Sequence, residues 1–235
     1  METKTQSRGL GVREGRIELI AEHNGKDLTF IYPAKGPDYF VKVRTQLEES
    51  NLRMPTMAET AFLVYSAWQN QDNKYSKDII GKLKSNWFWT NNALLYVPKN
   101  GVYVVDSPKI VDGKVSLNEE DLSKRLKGGD SKVRFAKFGY QLEGQTSLQL
   151  AKNSFVKALA GDEGAEKLAE ISEKYSRKPY VFGFNNVNEP LTRFAGLGSN
   201  WGLVDSRLSV DGNDSADCGG RCAFGVSDGK ADAKK

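Results

Sequence analysis

The most informative part of the sequence lies near the C-terminus and reads RFAGLGSNWG at 193–202, RLSVDGNDSAD at 207–217 and GRCAFGV at 220–226. From Leu191 to Val226 it contains no Lys, Glu, Gln or Met, although Lys and Glu are abundant elsewhere in the chain. Gly, Ser, Asn and Asp take their place, and apolar residues such as Trp201 and Phe224 are interleaved with them. Small polar residues with regular apolar anchors are typical of an ordered, loop-rich surface and not of a disordered linker.

These three motifs resemble the C-terminal region of the variable proteins of diversity-generating retroelements, most of all the archaeal branch. In that family a reverse transcriptase randomises the adenines that are copied from a template repeat. An Asn codon with both adenines randomised can become Asp, Gly, Ser, Cys, Val or Leu, but it cannot become Lys, Glu, Gln, Met or Trp. The residues missing from the tract match that excluded set, apart from Trp201, which we interpret as a fixed residue that packs under the site.

The resemblance implies a fold and a function. We expect an α+β chain with a C-type lectin-like fold, built of hairpins, several helices and a loop-rich C-terminal variable region. We expect a ligand-binding protein, not an enzyme, whose C-terminal surface is diversified by retroelement mutagenesis and binds variable protein or cell-surface glycan targets. Small polar and aromatic side chains on a rigid framework make an adaptable contact surface.

The tract divides into scaffold positions and varied, solvent-facing positions. The scaffold positions are expected to be Trp201, Arg207, Arg221 and Phe224, together with the apolar residues Leu208, Val210, Ala223 and Val226 and the glycine Gly225. The varied ligand-binding positions are expected to be Ser199, Asn200, Gly202, Val204, Asp205, Ser206, Ser209, Asp211, Asn213, Asp214, Ser215, Asp217, Cys218, Gly219 and Cys222.

Calcium binding by a fixed-site lectin or adhesion module is an alternative. Asp211, Asn213, Ser215 and Asp217 alternate with the oxygen-ligand spacing of a calcium loop. The sixth loop position, which is Gly in such loops, is Ala216, and the twelfth position lacks an acidic residue. We therefore expect no resident metal or cofactor and regard calcium as the disfavoured reading.

Two further readings concern chemistry in the tract. Asp205, Asp211 and Asp217 could supply a carboxylate pair for glycoside hydrolysis, but carboxylates among Gly, Asn and Ser residues are more often turn formers. Cys218 and Cys222 are too few to build a structural zinc site, and two free surface thiols are the favoured interpretation. The single histidine, His23, lies beside the turn signal Asn24-Gly25 and is not expected to act as a catalytic base.

Composition limits the partners and the location. The 235 residues carry a net charge of +4, and Lys and Arg are scattered among acidic residues, so a nucleic-acid partner is disfavoured. No apolar run approaches the roughly 20 residues of a membrane span, and residues 1–15 lack the apolar segment of a signal peptide. We expect a cytoplasmic protein by default. The alternative is display at the cell surface, by an export route that the sequence does not reveal.

The remaining sequence predicts one domain over 16–226, with a flexible leader at 1–15, a variable region at about 196–222 and a flexible tail at 227–235. Turn signals at 24–25 and 100–101 predict two hairpins. Capping boxes at Thr56-x-x-Glu59 and Ser116-x-x-Glu119 predict two helix starts, and the aromatic residues at 62, 65, 68 and 87–89 are predicted to lie in the core. Helices are predicted over 38–49, 58–69, 74–84, 116–127, 147–160 and 164–175, and strands over 16–22, 28–32, 94–97, 102–105, 133–140 and 180–184.

Overall fold

The computed structural model describes residues 10–13, 18–23, 26–199 and 207–227. The described residues form six helices and twelve strands, which confirms the predicted α+β class. The helices are α1 (Phe40–Glu48), α2 (Met57–Gln69), α3 (Lys74–Ser85), α4 (Glu119–Lys127), α5 (Ser147–Lys152) and α6 (Ser154–Ser172). The strands are β1 (Gly11–Arg13), β2 (Glu18–His23), β3 (Lys26–Asp38), β4 (Phe88–Val97), β5 (Gly101–Asp106), β6 (Ile110–Val111), β7 (Lys114–Val115), β8 (Val133–Lys137), β9 (Tyr180–Phe182), β10 (Leu191–Gly198), β11 (Ser209–Asp214) and β12 (Arg221–Ser227).

Ten of the described strands form one sheet. The strands β1, β2, β3, β12, β4, β10, β11 and β9 are hydrogen-bonded in that order, while β5 pairs with β4 and β8 pairs with β5. Neighbouring strands are antiparallel except for β12 beside β4 and β11 beside β9, which are parallel. The last strand, β12, therefore lies between the N-terminal hairpin and the central strand β4.

The sheet is buried on both faces. On one face, residues of α2, α3, α5 and α6 form the largest apolar cluster with alternate residues of β4, including Tyr96. On the other face, Phe40 of α1 packs against Trp89 and Phe194, with ring centroids 5.5 Å and 4.3 Å away. All ten residues of β4 are buried, and seven of them are apolar, as expected for a strand covered on both faces. The polar residues Thr90, Asn91 and Asn92 are buried with hydrogen-bond partners.

Several local predictions are confirmed. The strands β2 and β3 pair antiparallel, as do β4 and β5, which gives the two predicted hairpins; the turn residues Asn24 and Gly25 lie outside the described part. The side chain of Thr56 accepts a hydrogen bond from the Glu59 amide, and Glu59 accepts one from the Thr56 amide, which is the predicted capping box. Of the expected core aromatics, Phe62, Phe88 and Trp89 are buried, and the others are half-buried.

Other boundaries differ from the prediction. The helix α4 begins after Asn118, whose side chain accepts from the Asp121 amide, so the capping box expected at Ser116 is wrong. The predicted helix over 147–160 is interrupted at Asn153, whose extended backbone and side chain start α6. The leader is shorter than expected, because β1 pairs with β2 and Leu10 is buried. The residues 1–9 and 228–235 of the expected leader and tail lie outside the described residues.

Candidate functional site

The C-terminal tract folds as three strands and two connections. Gly198 of β10 pairs with Ser209 of β11, so residues 199–208 connect neighbouring strands. Residues 215–220, here called the 215–220 loop, lead from β11 back to β12 on the far side of β4 and β10. The expected site residues Asn200, Trp201, Gly202, Val204, Asp205 and Ser206 lie outside the described residues.

The first residue of β12 anchors this arrangement. The Arg221 guanidinium donates to Asp214 at 2.6 Å and to Asp211 at 3.2 Å, and it forms a second contact with Asp214 through Nη1. The rings of Trp87 and Trp89 lie 4.7 Å and 4.9 Å from its central carbon, within the range of a cation–π contact. We call these five residues the Arg221 cluster.

Two glycines of β10 leave room for the cluster. A Cβ added to Gly196 would lie 2.1 Å from the Arg221 Nη1 atom, and one added to Gly198 would lie 2.0 Å from the Trp87 ring. Real Cβ atoms do not approach other heavy atoms so closely, so larger residues would displace Arg221 or Trp87. The glycines in the motif RFAGLGSNWG therefore have a packing role that the sequence does not reveal.

The charges in the cluster are unequal, because two carboxylates share one guanidinium. Burial and the neighbouring charge of Asp211 raise the pKa of Asp214 to about 7, while Arg221 acts in the opposite direction. Burial likewise raises the pKa of Asp211, against the effect of Arg221 and the Asn213 amide. At neutral pH the pair can thus hold part of a proton, which relieves the repulsion between the carboxylates.

Five of the residues that were expected to face solvent are buried. Asp211 and Asp214 are buried because their side chains turn toward Arg221, and Cys222 is buried because its strand is covered on both faces. Ser209 lies inside the sheet, and Ser199 is held by a bond from its amide to the Leu83 carbonyl at the end of α3. The expectation of solvent exposure is therefore wrong for Ser199, Ser209, Asp211, Asp214 and Cys222.

The other described candidates reach the surface. Asp217 and Gly219 are exposed, and Asn213, Ser215 and Cys218 are half-buried. Asp217 is stabilised in its ionised form, since hydrogen bonds from Ser215 and from its own amide lower the pKa of its carboxyl. The 215–220 loop thus presents small polar side chains on a framework that is tied down at both ends.

Tyr39 is a surface residue that the sequence analysis missed. Its side chain is 44% exposed, its ring lies next to Gly219, and the ammonium group of Lys42 stands 5.3 Å from the ring centroid. The neighbouring amide of Phe40 donates to the Ala216 carbonyl at 3.2 Å, which attaches the start of α1 to the loop. No motif marks Tyr39, because its position beside the loop depends on a contact more than 170 residues away along the chain.

The described scaffold residues have packing partners. Phe224 is buried, with its ring 5.6 Å from that of Phe88 and 6.4 Å from that of Tyr32. The guanidinium of Arg207 lies 4.4 Å from the Tyr180 ring centroid. The two predicted anchors therefore hold β12 and the start of β11 against neighbouring strands.

The carboxylate of Asp211, the first residue of the calcium-loop pattern, already has two hydrogen-bond donors. One oxygen of Asp211 accepts from the Asn213 amide at 2.7 Å, and the other accepts from Arg221. Within the described residues, no three His, Cys, Asp or Glu side chains are grouped closely enough to hold a metal ion. A carboxylate pair of Asp211 with Asp217 is also disfavoured, because one side chain is buried against Arg221 and the other is exposed.

The two cysteines are free in the structure, and only one is near solvent. Cys218 is half-buried, with its sulfur 3.4 Å from the Ser215 hydroxyl. Cys222 is buried, and burial raises the pKa of its thiol to about 12, so it stays protonated and unreactive at neutral pH. The interpretation of two surface thiols is therefore wrong for Cys222.

No family model, curated protein or solved structure matches the chain. Among the helices of the described residues, none combines the length and apolar character that crossing a bilayer requires.

Proposed function

We propose that the chain is a ligand-binding protein whose contact surface is the 215–220 loop together with Tyr39. The observation that carries the proposal is how the loop is held: its exposed small polar residues lie between Asp214 and Arg221, which pair with each other, and Ala216 and Cys218 of the loop pack against the apolar cluster that contains Trp89. A surface that is loosely specified in sequence and rigidly held in structure can change its ligand without losing its fold.

The chemistry of the surface agrees with this role. Tyr39 offers a large amphipathic ring with few rotatable bonds beside Gly219. Ser215 and Asp217 offer polar groups on the loop, and Asn213 offers one at the adjoining end of β11. Binding surfaces of antibodies combine rigid aromatic anchors with adaptable small polar residues in the same way. Protein and cell-surface glycan targets both suit such a surface.

A C-type lectin-like framework is part of the proposal. Short strands, a loop-rich C-terminal region and helices on the sheet are the features that the resemblance implies. The pairing of β12 with β3 supports it, because it brings the C-terminal end of the described chain against its N-terminal hairpin. The described sheet has ten strands and is larger than the small sheet expected of that fold.

The proposal includes that the sequence of the tract arose by retroelement mutagenesis. Exposure to solvent identifies the described positions at which we expect substitutions to be tolerated. They are Asn213, Ser215, Asp217, Cys218 and Gly219. Gly220 is constrained by its backbone, which has a φ of 82° that L side chains rarely adopt. Asp211 and Asp214 are constrained by Arg221.

Sequencing this gene codon by codon in its source population tests the origin. We expect differences to concentrate at the exposed positions of the tract and at adenine-derived codon positions. The buried partners of Arg221 should stay constant. A uniform tract, with differences scattered over the whole chain, would overturn diversification and leave the fixed-site binding module.

Binding itself is tested with two display libraries of equal size. The first randomises Asn213, Ser215, Asp217, Cys218 and Gly219, and the second, as a control, randomises Ser209, Asp211, Asp214 and Cys222. We expect the first library to stay folded and to yield binders against a panel of proteins and glycans, while the second loses folded display. Folded members of the first library without any binder would count against the proposed surface.

A further inference from the structure

A groove of about 330 Å³ lies between the end of α2 and the outer face of α3. Trp68 and Ile80 form its apolar floor, and Gln71, Lys77 and Lys84 stand at its rim with Gly81 between the lysines. The ring of Tyr175 packs edge-on against Trp68 at 5.8 Å, so the floor is held from behind. None of these residues belongs to the ligand-contact surface described above.

We propose that this groove docks an acidic, partly apolar segment of a partner protein, independently of the C-terminal contact surface. The apolar floor can bury aliphatic side chains, and the lysines can pair with carboxylates on either side. A helix-surface groove with this division of polarity fits a peptide better than the evenly charged backbone of a nucleic acid.

The lysines form one face of α3. Lys74, Lys77 and Lys84 follow the helical repeat, are exposed, and have no ion-pair partner among the described residues. The nearby carboxylate of Asp78 lies on another side of the helix. It is 3.7 Å from the ammonium group of Lys82, and it contributes to raising the pKa of Tyr32. Asp72, in the turn before α3, is the nearest exposed carboxylate in sequence. The rim therefore carries a positive charge that no ion pair balances within the described residues.

Gly81, between the two lysines of the rim, also points to a docked partner. A glycine inside a helix lowers its stability relative to alanine. In α3, neither close packing nor an unusual backbone conformation explains the glycine. Its backbone does not have a positive φ, and a Cβ added there would meet no atom within 4 Å. A partner that approaches the helix backbone between Lys77 and Lys84 provides a reason for the missing side chain.

The test uses a fluorescein-labelled peptide of alternating Glu and Leu residues, ten residues long, with the full chain. We expect saturable binding that weakens at least tenfold in the double variant Lys77→Glu/Lys84→Glu and in Gly81→Trp, whose ring fills the groove. The matched control Lys124→Glu/Lys127→Glu makes the same charge change on α4 and should bind like the unchanged chain. Melting curves show that each variant is folded.

Three outcomes would overturn the proposal. The peptide fails to bind, the groove variants bind as well as the control variant, or a labelled ten-nucleotide single strand binds with the same dependence on the two lysines while the peptide does not. The last result would assign the face to nucleic acid. All three are read separately from the display libraries, since no groove residue is varied there.

Discussion

Arg221 carries one positive charge and serves two buried carboxylates, Asp211 and Asp214. Removing one partner of a buried ion pair leaves an uncompensated charge in a poorly solvated place, and the cost exceeds that of losing a surface pair. The stacking of Trp87 and Trp89 on the guanidinium adds to this dependence. The cluster should therefore be sensitive to substitution out of proportion to its size.

Arg221→Met should lower the free energy of unfolding by about 3–5 kcal/mol, because both carboxylates lose their only cationic partner in the cluster. Urea denaturation followed by circular dichroism measures the change. The matched control is Arg125→Met, which breaks a half-exposed pair with Asp130 and should cost less than about 1 kcal/mol. Equal losses in the two variants would show that the cluster is not an anchor.

Asp214 links stability to pH, because its pKa of about 7 lies above that of an unfolded aspartate, about 3.9. Between these values the folded protein keeps a proton that the unfolded chain has released. The stabilising contribution is complete below about pH 4 and is lost as the pH rises through 7. We expect the free energy of unfolding to fall across this window by at most about 1.4 kcal/mol per pH unit.

Urea titrations at several pH values measure this slope in three variants. Asp214→Asn should flatten it, and Asp211→Asn should move it to lower pH by removing the neighbouring charge. Asp217→Asn, on the exposed loop, should leave it in place. Asp106 contributes in the same direction in every variant, because burial raises its pKa as well. An unchanged slope in Asp214→Asn would assign the pH dependence to other groups.

At the scale of elements, the break in α6 depends on one backbone conformation. Gly161 has a φ of 70° and a ψ of 178°, a region that is essentially restricted to glycine. The second half of α6 packs closely on α2, where a Cβ on Gly164 would lie 3.3 Å from the Ala58 Cα of α2 and 2.9 Å from the Ala160 Cβ of α6. The helix pair thus relies on glycine for two different reasons.

Gly161→Ala should destabilise the chain by about 1–3 kcal/mol, although the added methyl group has open space around it. The same substitution in α3, Gly81→Ala, should stabilise it by up to about 1 kcal/mol, since that glycine has no positive φ. Thermal and urea unfolding of both variants measure the difference in sign. Destabilisation of similar size at both positions would mean that lost space, not backbone strain, governs the effect.

At the scale of the whole molecule, β12 joins parts of the sheet that are far apart in sequence. It pairs with β3 along its length and reaches β4 through Cys222 and Phe88, while its end exchanges hydrogen bonds with Arg53. Because these contacts are non-local, they form only when the rest of the fold is present. The strand should behave as part of the global folding unit.

We expect the amides of β12 to exchange with solvent only through global unfolding, at the rate of the slowest amides in β4. The amides of α4, a charged surface helix with one buried residue, should exchange faster by local opening. Hydrogen exchange followed by mass spectrometry separates the two classes. Rapid exchange in β12 would mean that the framework under the ligand-contact surface is not rigid.

Features that depend on neighbouring residues could be predicted from the sequence alone. The capping box of Thr56 with Glu59, the two hairpin turns and the apolar run of β4 were all readable, because each rests on contacts a few residues apart. The unusual composition of the C-terminal tract was readable for the same reason. The composition indicated little helical character, and the described part of the tract forms the strands β10, β11 and β12.

The side chains of that tract that face solvent could not be predicted, because their exposure depends on long-range contacts. Asp211 and Asp214 look like surface residues in the motif DGND, but they are buried where they pair with Arg221, and the rings of Trp87 and Trp89 pack on that guanidinium. Tyr39 joins the loop through a contact that no local pattern encodes. Burial of a charge depends on a partner, and that partner is supplied by the folded chain and not by the neighbouring sequence.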